Sequence, residues 1–179
     1  MNNDIGITSI VCCYGLAIKE KRLEEDWNGI VEYAKGILSY LKTCPDHTIV
    51  IICGGFTDPT ETVSEAESMH ALFVSLEPKF DTMYAVYPEE VSSSTTENLF
   101  NAMCFLENLA FKSDIKFQPD VVTIFCDMVR AKKVEWICSQ YFRKGSTVVG
   151  INRPDTHPRS TPEAQAKALE KLKNDWSQT

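Results

Sequence analysis

The chain has no surplus of positive charge. Its 179 residues carry 18 Lys and Arg against 25 Asp and Glu, a net charge of -7 with histidine neutral. No basic cluster breaks this balance, so nucleic acid and anionic membranes are poor partners, since both bind through rows of Lys and Arg. No apolar run approaches the ~20 residues that span a bilayer. The opening Met1-Asn2-Asn3-Asp4 lacks the basic and long apolar regions of an export signal. These absences predict a cytoplasmic protein with no membrane partner. The seven cysteines include no C-x-x-C pair. Most sit in apolar runs (Cys12, Cys13, Cys53, Cys126), which predicts reduced thiols rather than disulfides. The histidines His47, His70 and His157 are scattered, and no zinc site is expected. There is no internal repeat, linker or low-complexity segment. With 44% hydrophobic residues, residues 1–179 read as one domain with a sizeable core.

What is present is a regular alternation of strand-like and helix-like segments. Ile5 to Cys13 reads as a first strand, with Tyr14-Gly15 turning the chain at its end. Leu23, Trp27, Ile30, Val31, Ala34, Ile37, Leu38 and Leu41 form one apolar stripe at helical spacing, closed by Pro45 and Asp46. Thr48 to Cys53 is an unbroken β-branched run, as in a parallel strand buried on both faces. Ser64 opens the next helix, which stops before Pro78. Thr82 to Tyr87 reads as a third strand closed by Pro88, and a helix runs from about Glu97 to Phe111. Val121 to Phe125 is a fourth strand, followed at once by a helix that Gly145 breaks. Thr147 to Ile151 is a fifth strand, and Thr161-Pro162-Glu163 starts a last helix. This order predicts a three-layer α/β sandwich, Rossmann-like, of about five mainly parallel strands with helices on both faces. Ligands in such sheets bind beyond the carboxyl ends of the strands. Gly15, Gly54-Gly55, Glu89, Asp127 and Asn152-Arg153 all fall at that edge.

Several of these residues have two readings. Gly54 and Gly55 let the backbone turn and approach a ligand, and also suit a plain turn. Ser64 and Glu67 stand three apart at a helix start, which is a capping box and equally a place for ligand groups; Ser94 and Glu97 repeat the pattern. Glu65 has no capping role; its place in the first turn near the glycine loop suits accepting from sugar hydroxyls or holding a metal. Asn98, in a first helical turn, can orient a ligand or face solvent. Cys126 at a helix start would have a lowered pKa and act as a nucleophile, or else be a buried inert thiol. Asp127 is a candidate helix cap. Arg130 lies in a first turn, where the helix dipole disfavours a cation, which points to an anionic partner or to a salt bridge.

Taken in order, these residues resemble the YdcF/SanA/ElyC-like family. That family's pattern is a hydrophobic strand ending in Gly-Gly, then Ser-Glu-Ala-Glu, then Glu-x-x-Ser-x-Asn-Thr-x-Glu-Asn, then a Val-Thr-Ser strand ending in His-x-x-Arg-Ala. Here stand Gly54-Gly55, Ser64-Glu65-Ala66-Glu67, Glu89, Ser92, Thr95, Glu97-Asn98, Val122-Thr123 and Arg130-Ala131, with Gly15 and Arg22 fitting the first-strand region. Three positions depart: Ser94 replaces Asn, Ile124 replaces Ser, and Asp127 replaces His. If that His moves protons or binds phosphate in relatives, this chain has changed the role. The resemblance implies a Rossmann-like protein binding a small molecule, with S-adenosylmethionine or a divalent cation as cofactor candidates. The absence of a membrane anchor points to a soluble YdcF-like type rather than to envelope biogenesis.

The expected function is therefore binding of a nucleotide-like or phosphorylated small molecule at the strand carboxyl ends. Gly15, Gly54, Gly55, Ser64, Glu67, Glu89, Ser92, Thr95, Asn98 and Arg130 would line the site, the glycine loops and helix starts holding phosphate or carboxylate. The alternatives are a transferase or hydrolase using Glu65, Glu97 and Asp127, or a thiol hydrolase using Cys126. The oligomeric state is left open.

Overall fold

A computed structural model describes residues 8–13, 24–44, 48–56, 62–113, 122–142, 146–153 and 161–178. The turn at Tyr14-Gly15, Arg22, Pro45, Asp46 and Gly145 lie outside them. In chain order the elements are β1 (Thr8–Cys12), α1 (Glu24–Leu41), β2 (Ile49–Cys53), α2 (Glu65–Leu76), α3 (Phe80–Met83), β3 (Ala85–Glu89), α4 (Thr95–Ser113), β4 (Val122–Asp127), a 3-10 turn (Met128–Arg130), α5 (Ala131–Tyr141), β5 (Ser146–Ile151) and α6 (Pro162–Trp176).

The strands form one sheet in the order β3-β2-β1-β4-β5. All four neighbouring pairs are parallel. Alternation along the strands builds two cores. Val11, Cys13, Val50, Ile52 and Phe125 face α1, α2 and α3, where Ile30, Ile37, Leu41, Met69 and Phe73 are buried. Ile10, Cys12, Ile51, Cys53, Ile124 and Cys126 face the other way, against Leu99, Leu106, Val134 and Ile137 of α4 and α5. The result is a Rossmann-like three-layer α/β sandwich. Each fully buried aliphatic side chain contributes about 1.5–3 kcal/mol. Tyr33 is buried on the α1 stripe because its hydroxyl donates to the Cys12 carbonyl at 2.9 Å. Among the described residues, no helix is long and apolar enough to cross a membrane.

Two strands differ from the sequence expectation. The third is not Thr82 to Tyr87: Phe80–Met83 is a single helical turn, and the strand is Ala85–Glu89. Phe80 pulls that turn into the core, with ring centroids 5.0 Å from Phe73 and 5.1 Å from Tyr84. Pro88 does not close the strand but pairs within it, opposite Ile52. The sheet tolerates a residue without an N–H there because β3 is an edge strand with one neighbour. The fourth strand runs past Phe125 to Asp127, because pairing with β5 continues through Cys126↔Gly150 and Asp127↔Ile151. Cys126 and Asp127 thus belong to the strand, and Asp127 is also the cap of the 3-10 turn that follows it.

Candidate functional site

The carboxyl edge of the sheet gathers residues from five segments. The last register row reads Glu89, Cys53, Cys12 across β3, β2 and β1, and Cys126 pairs with Gly150 beyond. The order reverses between β1 and β4, the place where open α/β sheets bind ligands.

The double glycine serves the chain itself. Gly54 N donates to Glu89 O at 2.9 Å and Gly55 N to Ser92 O at 2.9 Å. The carbonyls are used too: Glu65 N reaches Gly55 O at 3.1 Å and Ala66 N reaches Gly54 O at 2.8 Å. A Cβ on Gly55 would lie 2.5 Å from Ser92 O and 2.7 Å from Glu90 O. The close approach that needs glycine is therefore made by the loop after β3. At the start of α2, Glu67 N donates to Ser64 Oγ at 3.0 Å and Ser68 N to Ser64 O at 3.0 Å. The first four amides of α2 are all taken. The phosphate cradle expected from the glycine loop and this helix start is closed by the protein's own acceptors.

The acidic residues sort by environment. Glu65 is 3% exposed. It packs over Gly54, where an added Cβ would meet Glu65 Cβ at 2.8 Å and Cys13 Cβ at 2.9 Å. Burial first, then the charge of Glu65, pushes the Cys13 thiol well up, while Arg153 pulls the other way. Arg153, just past β5, is itself buried. Glu67 is exposed. Glu89 ends β3 half-buried, and its Oε1 accepts from Val91 N at 2.9 Å, Ser92 N at 3.0 Å and Asn101 Nδ2 at 3.0 Å. Its Oε2 is buried with no hydrogen-bond partner among the described residues.

The loop after β3 is locked onto α4. Ser92 Oγ donates to Asn98 Oδ1, and both residues are buried, as is Thr95. Glu97 is exposed; its Oε2 accepts from Ser93 N at 2.6 Å and Ser93 Oγ at 2.8 Å, while Glu97 N donates to Ser94 Oγ at 3.2 Å. The Ser93 donors hold the Glu97 carboxyl below its ordinary range. That is a capping arrangement, and a base needs a higher affinity for the proton.

At the end of β4, Asp127 is 1% exposed and its Oδ1 accepts from Val129 N at 3.2 Å, capping the 3-10 turn. Arg130 closes that turn, half-buried. Cys126 is fully buried in β4, and burial first, then neighbouring Cys12 and Asp127, push its thiol well up. A protonated, enclosed thiol is no nucleophile. Gly15 lies outside the described residues.

The fold brings Gly54, Gly55, Ser64, Glu65 and Glu89 together, with Ser92, Thr95 and Asn98 behind Glu89. Glu67 and Glu97 are exposed, the Glu97 carboxylate being taken by Ser93. Two residues that the sequence reading leaves out of the site also belong to it. Glu90 Oε1 accepts from Ser64 Oγ at 2.6 Å, tying α2 to the loop. Asn101 steadies Glu89, and its spacing of three from Asn98 was the available signal. Arg153, which the sequence reading sets at this edge, is buried just past β5. No group of three metal-ligating residues occurs among the described residues. No family model, curated protein or solved structure matches the chain.

Proposed function

We propose that the chain is a cytoplasmic, YdcF-like protein that binds a nucleotide-like small molecule at the carboxyl ends of its strands, with S-adenosylmethionine as the first candidate. The observation that carries this reading is Glu89 Oε2. One oxygen of that carboxylate is committed to three donors of its own loop and helix. The other is buried and has no donor among the described residues. Buried polar atoms are almost always paired, and a carboxylate oxygen left over at the ligand edge suits a hydroxyl or amine from outside the chain. Ribose hydroxyls and the amine of S-adenosylmethionine are such donors. The occupied amides of α2 fit the same picture, because acidic side chains rather than a helix start then make the contacts. The catalytic alternatives draw no support from Glu97, which caps α4, or from Cys126, whose thiol stays protonated.

Glu89→Gln tests this directly. The amide keeps one oxygen for the loop and turns the other acceptor into a donor. In calorimetric titrations with S-adenosylmethionine, S-adenosylhomocysteine and adenosine, the variant is expected to bind about tenfold to a hundredfold more weakly than the wild type, the value of a charge-assisted hydrogen bond. Equal affinity in the two proteins would overturn the assignment.

A further inference from the structure

The loops after β2 and β3 are tied together by Gly55 N on Ser92 O and by Ser64 Oγ on Glu90 Oε1. Three large apolar side chains are exposed at that knot. Phe56 follows Gly55 and is 50% exposed, Val91 stands between Glu90 and Ser92 and is 86% exposed, and Val63 precedes Ser64 and is 36% exposed. Single exposed apolar residues are ordinary on a protein surface. These three are gathered from two loops onto one fixed stretch of backbone. Val91 N donates to Glu89 Oε1 at 2.9 Å, and the carbonyls of Glu90 and Ser92 fill the space over Gly55. Phe56 also differs from the other exposed aromatic side chains. Tyr40 lies against Phe125, and Phe100 and Trp176 both lie against Tyr141, with ring centroids 5.2, 5.8 and 5.7 Å apart. Phe56 takes part in no ring contact among the described residues, so a face of its ring is left to pair with something else.

The same knot sets the charge of what can approach. The amides of Gly54, Gly55, Glu65, Ala66 and Glu67 on one loop, and of Val91, Ser92 and Ser93 on the other, all donate within the chain. The carboxylates of Glu65, Glu89 and Glu90 belong to the same two loops. An anion there would meet charge of its own sign and none of these amides. An uncharged ring bearing hydroxyl or amine groups meets apolar contact and one waiting acceptor, the buried Glu89 Oε2.

We propose that Phe56, Val63 and Val91 form an apolar subsite beside Glu89 that takes the base of a nucleoside-class ligand. The inference rests on the reading that Glu89 holds a ligand at this edge. It adds which part of the ligand lies over the β2–β3 loops, and that this part is an uncharged ring. Stacking accepts any base because every base has a π-face, so Phe56 supplies affinity and Glu89 supplies orientation through the sugar.

Calorimetric titration with adenosine, guanosine, cytidine and uridine, and with methyl β-ribofuranoside, which keeps the sugar and lacks the base, tests the subsite. At least one nucleoside is expected to bind the wild type tenfold or more tightly than the riboside, the value of one stacked ring. Phe56→Ser is expected to weaken that nucleoside about tenfold, and Phe56→Tyr, which keeps the ring, to restore it. Met83→Ser, which removes an exposed apolar side chain on α3, should leave it unchanged. Each substituted side chain is exposed, so the denaturation midpoints are expected to match the wild type. If the riboside binds as tightly as every nucleoside, or if Phe56→Ser binds as well as the wild type, the subsite is overturned. Glu89→Gln separates the two ideas. Affinity lost in Glu89→Gln and kept in Phe56→Ser would sink the subsite and leave the Glu89 reading standing. Affinity lost in Phe56→Ser and kept in Glu89→Gln would do the reverse. Binding of no nucleoside would overturn the subsite, and the Glu89 reading would then stand or fall on S-adenosylmethionine.

Discussion

Glu65 and Glu97 are both first-turn glutamates, yet their surroundings are opposite. Glu65 is buried over Gly54, and Glu97 is exposed with its carboxylate on Ser93. The difference comes from the neighbour each side chain meets, not from helix position. The same holds for the thiols. Cys12, Cys13, Cys53, Cys126 and Cys138 are buried, while Cys44 and Cys104 are half-exposed. Desolvation raises Cys126 well above its ordinary value and Cys138 to about 12. Accessibility alone then orders a thiol titration of the native protein: the partly exposed Cys44 and Cys104 should react first, and the buried thiols only as the protein unfolds. Rapid modification of Cys126 in the folded state would contradict the burial and reopen thiol chemistry. The sequence placed Glu65, Glu89 and Asp127 at the edge but could not rank them. Ranking needs the contacts of Gly54, Asn101 and Val129, which come from separate turns and loops.

At the scale of elements, the connection between the loops after β2 and β3 matters most. Gly54 N, Gly55 N and Ser64 Oγ all reach across to the Glu89–Ser92 segment. Gly55 is the tightest point, where a methyl group would overlap two carbonyl oxygens. Gly55→Ala should cost about 1–3 kcal/mol, the usual range for forced overpacking, read as a lower denaturation midpoint at an unchanged m-value. An unchanged midpoint would mean that the two loops are not held together as described. The helices were legible because apolar periodicity needs no tertiary information: the α1 stripe from Ile30 to Leu41 is buried as its spacing predicts. The third strand was misplaced because the tolerance for Pro88 depends on β3 lying at an edge, which is topology. The glycine loop was found but its partner was not: a Gly-Gly pair signals a close approach without saying whether ligand or protein approaches.

For the whole molecule, the β3-β2-β1-β4-β5 order turns scattered sequence features into one edge. Glu65 and Glu89 stand toward β2 and β3, and Asp127 ends β4. A net charge of -7 agrees with an edge whose β2–β3 side is acidic. The sandwich was legible from alternating strand and helix patterns, whereas strand order was not, since it is set by which faces the crossovers bury. The central claim is that this edge holds a nucleotide-like small molecule through Glu89. Thermal unfolding tests it most directly, against S-adenosylmethionine, S-adenosylhomocysteine, common nucleotides and sugar phosphates, each with and without Mg²⁺, in the wild type and in Glu89→Gln. A ligand at about a hundred times its dissociation constant stabilises by ~2.7 kcal/mol, a shift of several degrees at this chain length. The account predicts such a shift for a nucleoside-bearing member of the panel, lost in Glu89→Gln. No shift with any member, or the same shift in both proteins, would contradict it.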